Sequence, residues 1–234
     1  MVKLIAEIGN CHFGDYSKAK KMIRIAHESG ADLIKGQAFS CMDIASNGSM
    51  SVEFYRQCQF TYHQMEGLID YARSIGTDMF FSIFSPEYRR LNSHQNYTKF
   101  AANQTTDFYK EDFISFDKKN FIISMSDIKK FVSTMGQSKI HDASILFASK
   151  YFTSADYIDL SLLPLMGLVN ESYGYSDHTC DYSNCIKAVR DYGATIIEKH
   201  FTLEKNISFE GKIFRDTVHG ATPDELEKIA NGIK

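Results

Sequence analysis

Short β-type runs alternate with helix-type stretches from one end of the chain to the other, and this rhythm constrains the fold more than any other feature. The runs start at Val2, Leu33, Asp78, Thr98, Phe121, Ser144, Tyr173 and Thr195, eight in all. Helix-type segments lie between them: Tyr16 to Glu28 with a stop at Gly30, Val52 to Ile75 with a stop at Gly76, Asp127 to Met135, and Ser183 to Tyr192. Pro86 is placed to open a further helix. Strands separated by helices pair in parallel, and eight of them predict a closed (β/α)8 barrel. The rival is an open doubly wound sheet, which carries a glycine-rich turn after its first strand. That position reads Glu7-Ile8-Gly9-Asn10, not G-x-G-x-x-G. No short repeat, low-complexity tract or Pro/Ser linker offers a place to divide the chain, so residues 1–234 read as one barrel domain. A barrel usually takes about 250 residues, so its connections must be lean.

Composition narrows the function classes. A chain that is 44% hydrophobic and 24% charged can bury a full core, which excludes intrinsic disorder. Twenty-six Lys and Arg against 29 Asp and Glu leave a formal net charge of −3, so no positive excess draws the chain to nucleic acid or to an anionic membrane. No run approaches the roughly 18 apolar residues of a spanning helix. The N-terminal apolar stretch is interrupted by Glu7, which argues against a secretory segment. A cytoplasmic location is expected. Cys11, Cys41, Cys58, Cys180 and Cys185 are odd in number and lack C-x-x-C spacing, so neither a disulfide framework nor a zinc knuckle is signalled. Small-molecule chemistry is what remains.

In a closed barrel, reactive groups gather where strands end and the following loops begin. Those positions hold Glu7, Lys35 and Gln37, Ser82, Lys99, Ser124, Ser149, then Ser176-Asp177-His178 and Glu198-Lys199-His200. Two lysines and several serines can cradle a phosphate or carboxylate, since lysine supplies a point charge and serine a donor. A single such lysine is more often a solvated loop charge, and only the joint position of the two points to an anion. His178 and His200 close consecutive strands, so their imidazoles can converge on one divalent ion, with Cys11, Asp216 or water at other places. Two nitrogens among oxygens would suit Mn2+ or Mg2+. The metal-free alternative has each histidine bonded to a carboxylate such as Asp177 or Glu198. Lys35 or Lys99 could instead be a Schiff-base nucleophile, because a lysine buried in a barrel mouth can lose its charge and attack a carbonyl.

Four strings carry a resemblance: AEIGNCHFGD at Ala6 to Asp15, GADLIKGQAF at Gly30 to Phe39, YGYSDHT at Tyr173 to Thr179, and GATIIEKHFTLEKN at Gly193 to Asn206. Together with RDTVHGATPDELEKI, Arg215 to Ile229, the chain resembles the sialic acid synthase family. These are phosphoenolpyruvate-condensing enzymes that make N-acetylneuraminate, legionaminate and pseudaminate. The resemblance implies a barrel that joins phosphoenolpyruvate to the aldehyde of an N-acyl amino sugar, giving a nine-carbon 2-keto acid and phosphate. It implies that Lys35, Ser82, Lys99, Ser124, Ser149 and Ser176 bind phosphoenolpyruvate. It also implies that His178 and His200 ligate a divalent ion, Mn2+ first and Mg2+ or Co2+ as alternatives. Glu7, Glu198 and Asp216 match carboxylates that bind sugar hydroxyls or handle protons.

The chain departs from the family pattern at four places. In KFAANQ, Lys99 to Gln104, Ala102 replaces a serine and Gln104 an acidic residue, and glutamine at this catalytic position can hydrogen-bond but not act as a base. The loop after Ser124 lacks a Thr-Gly pair. Cys11 stands where the family has Asn. The sequence ends at Lys234, where the family continues into a small antifreeze-protein-like domain that lends an arginine to the partner subunit's sugar site. The resemblance therefore implies either a homodimer through barrel surfaces or a separate chain supplying that domain. A catalytically impaired barrel that binds phosphoenolpyruvate, a sugar or a partner protein is the alternative to a working synthase.

Overall fold

The computed structural model describes residues 2–45, 50–101, 120–135, 143–151 and 154–234. Eight strands follow one another in parallel: β1 (Lys3–Glu7), β2 (Leu33–Ala38), β3 (Asp78–Ile83), β4 (Tyr97–Phe100), β5 (Asn120–Met125), β6 (Ala143–Ala148), β7 (Tyr173–Asp177) and β8 (Ile196–His200). β8 pairs with β1, Ile5 opposite Glu198, and the barrel closes as the strand rhythm predicts. Each strand begins within one residue of the start read from the sequence. The expected run from Thr98 to Ala102 is represented by β4, and Ala102 lies outside the described residues.

Strand side chains alternate between the two faces of the sheet, and here that alternation sorts two cores. Ile5, Leu33, Phe80, Ile122, Leu146 and Ile196, joined by Tyr97, form an apolar layer inside the barrel. Their neighbours of opposite parity, such as Leu4, Ile34, Met79, Phe81, Ile145 and Ile197, belong to a larger core against the helices. Two residues further along each strand, the inward parity returns with different chemistry. Glu7, Lys35, Ser82, Lys99, Ser124, Ala148 and Glu198 follow those seven apolar residues, and Ser176 follows Gly174; all eight line one cavity.

The helices brace this cylinder. α1 (Tyr16–Glu28) is capped by Asp15, which accepts from the Lys18 N–H, buries Ala19, Met22, Ile23 and Ala26 at helical spacing, and stops against Gly30 at φ +94°. α2 (Cys41–Ala45) is short. The expected helix from Val52 to Ile75 is two helices, α3 (Val52–Cys58) and α4 (Tyr62–Ser74). Thr61 and Gln64 form a capping box that starts α4 afresh. Phe60 in the break is buried, its ring stacked 4.3 Å from that of His12. The apolar periodicity runs through this break, so periodicity alone did not reveal it. Pro86 does open a helix, but one of 3-10 type, Pro86–Ser93. α5 (Ile128–Met135), α6 (Leu163–Met166) and α7 (Ser183–Arg190) follow.

Beyond β8 the chain makes a small hairpin of β9 (Ser208–Phe209) and β10 (Lys212–Ile213), then α8 (Arg215–His219) and α9 (Pro223–Ile233). α9 starts with a Thr222/Glu225 capping box and buries Leu226, Ile229, Ala230 and Ile233. α8 is held at the barrel mouth because the Ala221 N–H bonds the His200 carbonyl at 2.6 Å and the Thr202 N–H bonds the Ala221 carbonyl at 2.9 Å. Among the described residues no helix is long and apolar enough to cross a membrane.

Gly174 occupies the inward position that carries an apolar side chain on the other seven strands. A Cβ there would sit 1.7 Å from the Ile196 carbonyl oxygen of β8. Gly174→Ala is expected to lower the unfolding free energy by about 2 kcal/mol or more, since overpacking a tight core costs 1–3 kcal/mol. An unchanged urea midpoint would contradict the close approach.

Candidate active site

The cavity at the C-terminal mouth of the barrel has a volume of about 370 Å3. Its floor is the polar layer described above. Lys35 and Lys99 are each only 4% exposed, so their ammonium groups would be costly to bury alone. Lys35 pairs with Glu7, lies 3.9 Å from the Glu198 carboxylate, and is 3.3 Å from Ser82 Oγ. Lys99 pairs with Glu198, whose Oε1 also accepts from Ser176 Oγ at 2.9 Å. Two ammonium groups and two carboxylates thus make a balanced network across β1, β2, β4 and β8.

The environment sets the protonation of each group. Burial pushes Lys35 down to about 7, against the pull of the Glu198 carboxylate in the other direction. Burial alone would raise Glu198, but the Lys35 and Lys99 ammonium groups win and hold it down near 2. Ser124 Oγ is buried and has no hydrogen-bond partner among the described residues. A buried hydroxyl left open beside two ammonium groups is suited to an anionic oxygen that the protein itself does not provide.

Above the floor stand imidazoles. His178 and His200, at the ends of β7 and β8, have ring centres 5.3 Å apart, and the Nδ1 atoms of both are buried with no hydrogen-bond partner among the described residues. The metal-free alternative, in which Asp177 or Glu198 holds these rings, is not what forms. Glu198 is taken by lysines and Ser176. Asp177, of outward parity, accepts from Lys199 Nζ at 2.9 Å, Tyr175 OH at 3.0 Å and the Thr179 N–H at 2.9 Å. Burial lowers His178 to about 4 and His200 well below the usual imidazole range, so both rings are neutral near pH 7, the form that ligates metals. The donor set therefore fits a divalent ion.

Asp216 reaches this cluster from α8. Its Oδ2 is 3.8 Å from His200 Nδ1, and burial lifts its carboxyl to about 6. One turn along the same helix, His219 brings a third buried imidazole, its ring centre 5.0 Å from that of His200. Sequence reasoning passed over His219. The signal was its i, i+3 spacing from Asp216, which puts both on one helix face.

Other expected residues fall into place differently. Ser149 lines the cavity, but its Oγ accepts from the His178 N–H at 2.9 Å, so it also fixes the backbone that carries the imidazole. Cys11 is packed in the outer hydrophobic core, and burial, with the Asp216 carboxylate, drives its thiol well above the ordinary range. It is not part of the His200, Asp216 and His219 group that could hold an ion. Cys41, Cys58 and Cys185 are buried as expected, whereas Cys180 is exposed. Gln104 lies outside the described residues.

The fold and this mouth define a class: a (β/α)8 barrel whose strand ends carry a buried lysine–carboxylate network beneath a histidine cluster. Within it, the chain belongs to the NeuB family, whose model matches residues 22–234. It is 30% identical to an uncharacterised protein of Methanocaldococcus jannaschii, over 99% of this chain and 69% of that one. It is 26% identical to an N,N'-diacetyllegionaminic acid synthase of Campylobacter jejuni, over 99% of this chain and 75% of the relative. The fold matches the N-acetylneuraminic acid synthetase of Leptospira borgpetersenii with a TM-score of 0.82 at 23% identity, covering 99% of this chain and 82% of that one.

The buried Lys199–Asp177 pair braces β7 against β8 directly behind the site. Lys199→Met alone is expected to cost about 3–5 kcal/mol, because it strands a buried carboxylate. Adding Asp177→Asn should recover part of that loss in urea unfolding. Strictly additive losses would show that the two side chains do not act as a pair.

Proposed function

We propose that residues 1–234 act as a sialic acid synthase-type barrel that condenses phosphoenolpyruvate with the open-chain aldehyde of an N-acyl hexosamine such as N-acetylmannosamine. The products are a nine-carbon 2-keto acid and phosphate. The single observation that carries this reading is the cavity floor, where Lys35, Lys99, Ser82, Ser124 and Ser176 converge on one small space. The synthase names of the relatives support the same reading.

The chemistry asks for charge stabilisation more than for a nucleophilic side chain. C3 of the enol phosphate bonds to the aldehyde carbon, water adds at C2, and the resulting tetrahedral carbon expels phosphate. Lys35 and Lys99 bind the phosphate and carboxylate of phosphoenolpyruvate, with Ser82, Ser124 and Ser176 donating further hydrogen bonds. Each ammonium has three donors, so both can hold an incoming anion while Glu7 and Glu198 keep them oriented. Lys35, brought down to about 7, gives up or takes back a proton at Nζ close to neutral pH, with Glu7 in contact with it. His178 and His200 hold a divalent cation, which when bound supplies Lewis-acid polarisation of a carbonyl oxygen.

One observation favours a second reading. A buried lysine brought down to about 7 is also what a Schiff-base aldolase needs. Borohydride with a 2-keto acid would trap an adduct on Lys35 in that case, and the condensation requires none.

The test is phosphate release from phosphoenolpyruvate by the pure chain with Mn2+ and N-acetylmannosamine. Release is expected, and Lys99→Met should reduce it by about 100-fold or more, the scale of losing one preorganised donor. Absence of release across a panel of N-acyl hexosamines, under each of several divalent ions, would overturn the condensing reading in favour of a binding protein.

A further inference from the structure

The strand ends supply two imidazoles, but three meet above the floor. Ring centres of His178, His200 and His219 are 5.3, 6.0 and 5.0 Å apart for the pairs 178–200, 178–219 and 200–219, with interplanar angles of 55°, 67° and 85°. Imidazoles ligating one tetrahedral ion have nitrogens about 2.1 Å from it, which puts their ring centres roughly 5 Å apart. The three rings have the spacing of ligands around one point, and the Tyr151 ring packs on the same cluster, 4.4, 6.4 and 5.1 Å from those of His178, His200 and His219.

The carboxylate fits the same pattern. Asp216 Oδ2 is 3.8 Å from His200 Nδ1, and Asp216 Oδ1 is 3.8 Å from His219 Nε2. Hydrogen bonds of this kind run about 2.7–3.2 Å, so these gaps are too wide for direct bonds. They are a little wider than the roughly 3.4 Å between two donors on one tetrahedral ion. One donor atom from each of His200, Asp216 and His219 lies within 4.8 Å of the others, and His178 stands beside this trio, its ring centre 5.3 and 6.0 Å from those of His200 and His219. The buried Nδ1 atoms of His178 and His200, without a hydrogen-bond partner among the described residues, point to a ligand as well.

We propose that His219 and Asp216 join His178 and His200 in one nitrogen-rich cation site of four protein donors, which takes a zinc-type ion, Zn2+ or Co2+, in four- or five-coordinate geometry. This rests on the reading of His178 and His200 as cation ligands and departs from Mn2+ or Mg2+ as the expected occupant. Three imidazoles favour borderline ions, whereas Mg2+ and Mn2+ favour carboxylate, carbonyl and water oxygens. α8 contributes half of the donors, so the site depends on a helix outside the strand-and-loop repeat of the barrel. Three neutral rings and one carboxylate leave a bound dication with a net charge of +1, still attractive to an anionic or carbonyl oxygen.

The test uses the full chain, stripped with a chelator, and titrates Zn2+, Co2+ and Mn2+ in competition with a chromophoric indicator. Wild-type protein should bind Zn2+ and Co2+ far more tightly than Mn2+ and give the intense visible absorption of low-coordinate Co2+. His219→Ala should weaken Zn2+ binding by at least about tenfold and shift the Co2+ bands, as should His200→Ala. His219→Asn, closer in size and polarity, serves if the alanine variant does not fold. If the His219 variants leave affinity and bands unchanged while His200→Ala alters both, the four-donor site is wrong and the two-histidine reading stands. If His200→Ala also changes nothing, both readings fail. A pale octahedral Co2+ spectrum in the wild-type protein likewise overturns the proposal.

Discussion

A strand that closes into a parallel barrel must offer every second side chain to the interior, and the rest of this structure follows from that constraint. Eight inward positions at one level are filled by apolar groups or, on β7, by glycine. Eight positions at the next level, seven polar and on β6 an alanine, form the floor. The apolar layer seals the barrel from below, so the floor above it is shielded from water on one side and open on the other. In that setting a lysine is held by a carboxylate rather than by solvent, and Glu7 and Glu198 are needed as much as Lys35 and Lys99.

The same alternation separates binding from bracing on single strands. On β8, Glu198 and His200 face the cavity, while Lys199 between them faces outward and locks to Asp177 of β7. Two charged residues adjacent in sequence thereby serve unrelated ends. The imidazoles stay neutral chiefly because they are buried, and the Asp177 and Glu198 carboxylates at the same strand ends are engaged by ammonium groups.

Much of this was legible in the sequence because it is periodic. The strand starts, the polar groups at the strand ends and the two strand-borne histidines all follow from a period of two read within short apolar runs. What was not legible came from outside that period. The break between α3 and α4 is made by a side-chain capping box at Thr61 and by burial of Phe60, neither of which disturbs the apolar spacing. Ser149 lines the cavity with the other strand-end serines, and that its oxygen also accepts from the His178 N–H is a contact no sequence period reveals. His219 sits on a five-residue helix after the last strand, where a search confined to strand ends does not look. Cys11, offered with Asp216 or water for the places left by His178 and His200, is packed in the core.

The groups of the polar floor ride on hydrogen-bonded strands, each pinned in register by both neighbours, whereas α8 is attached through a short run of backbone bonds around Ala221. The two halves of the mouth can therefore diversify independently. Lengthening or exchanging a connecting segment rebuilds the upper rim without moving any oxygen or nitrogen of the floor.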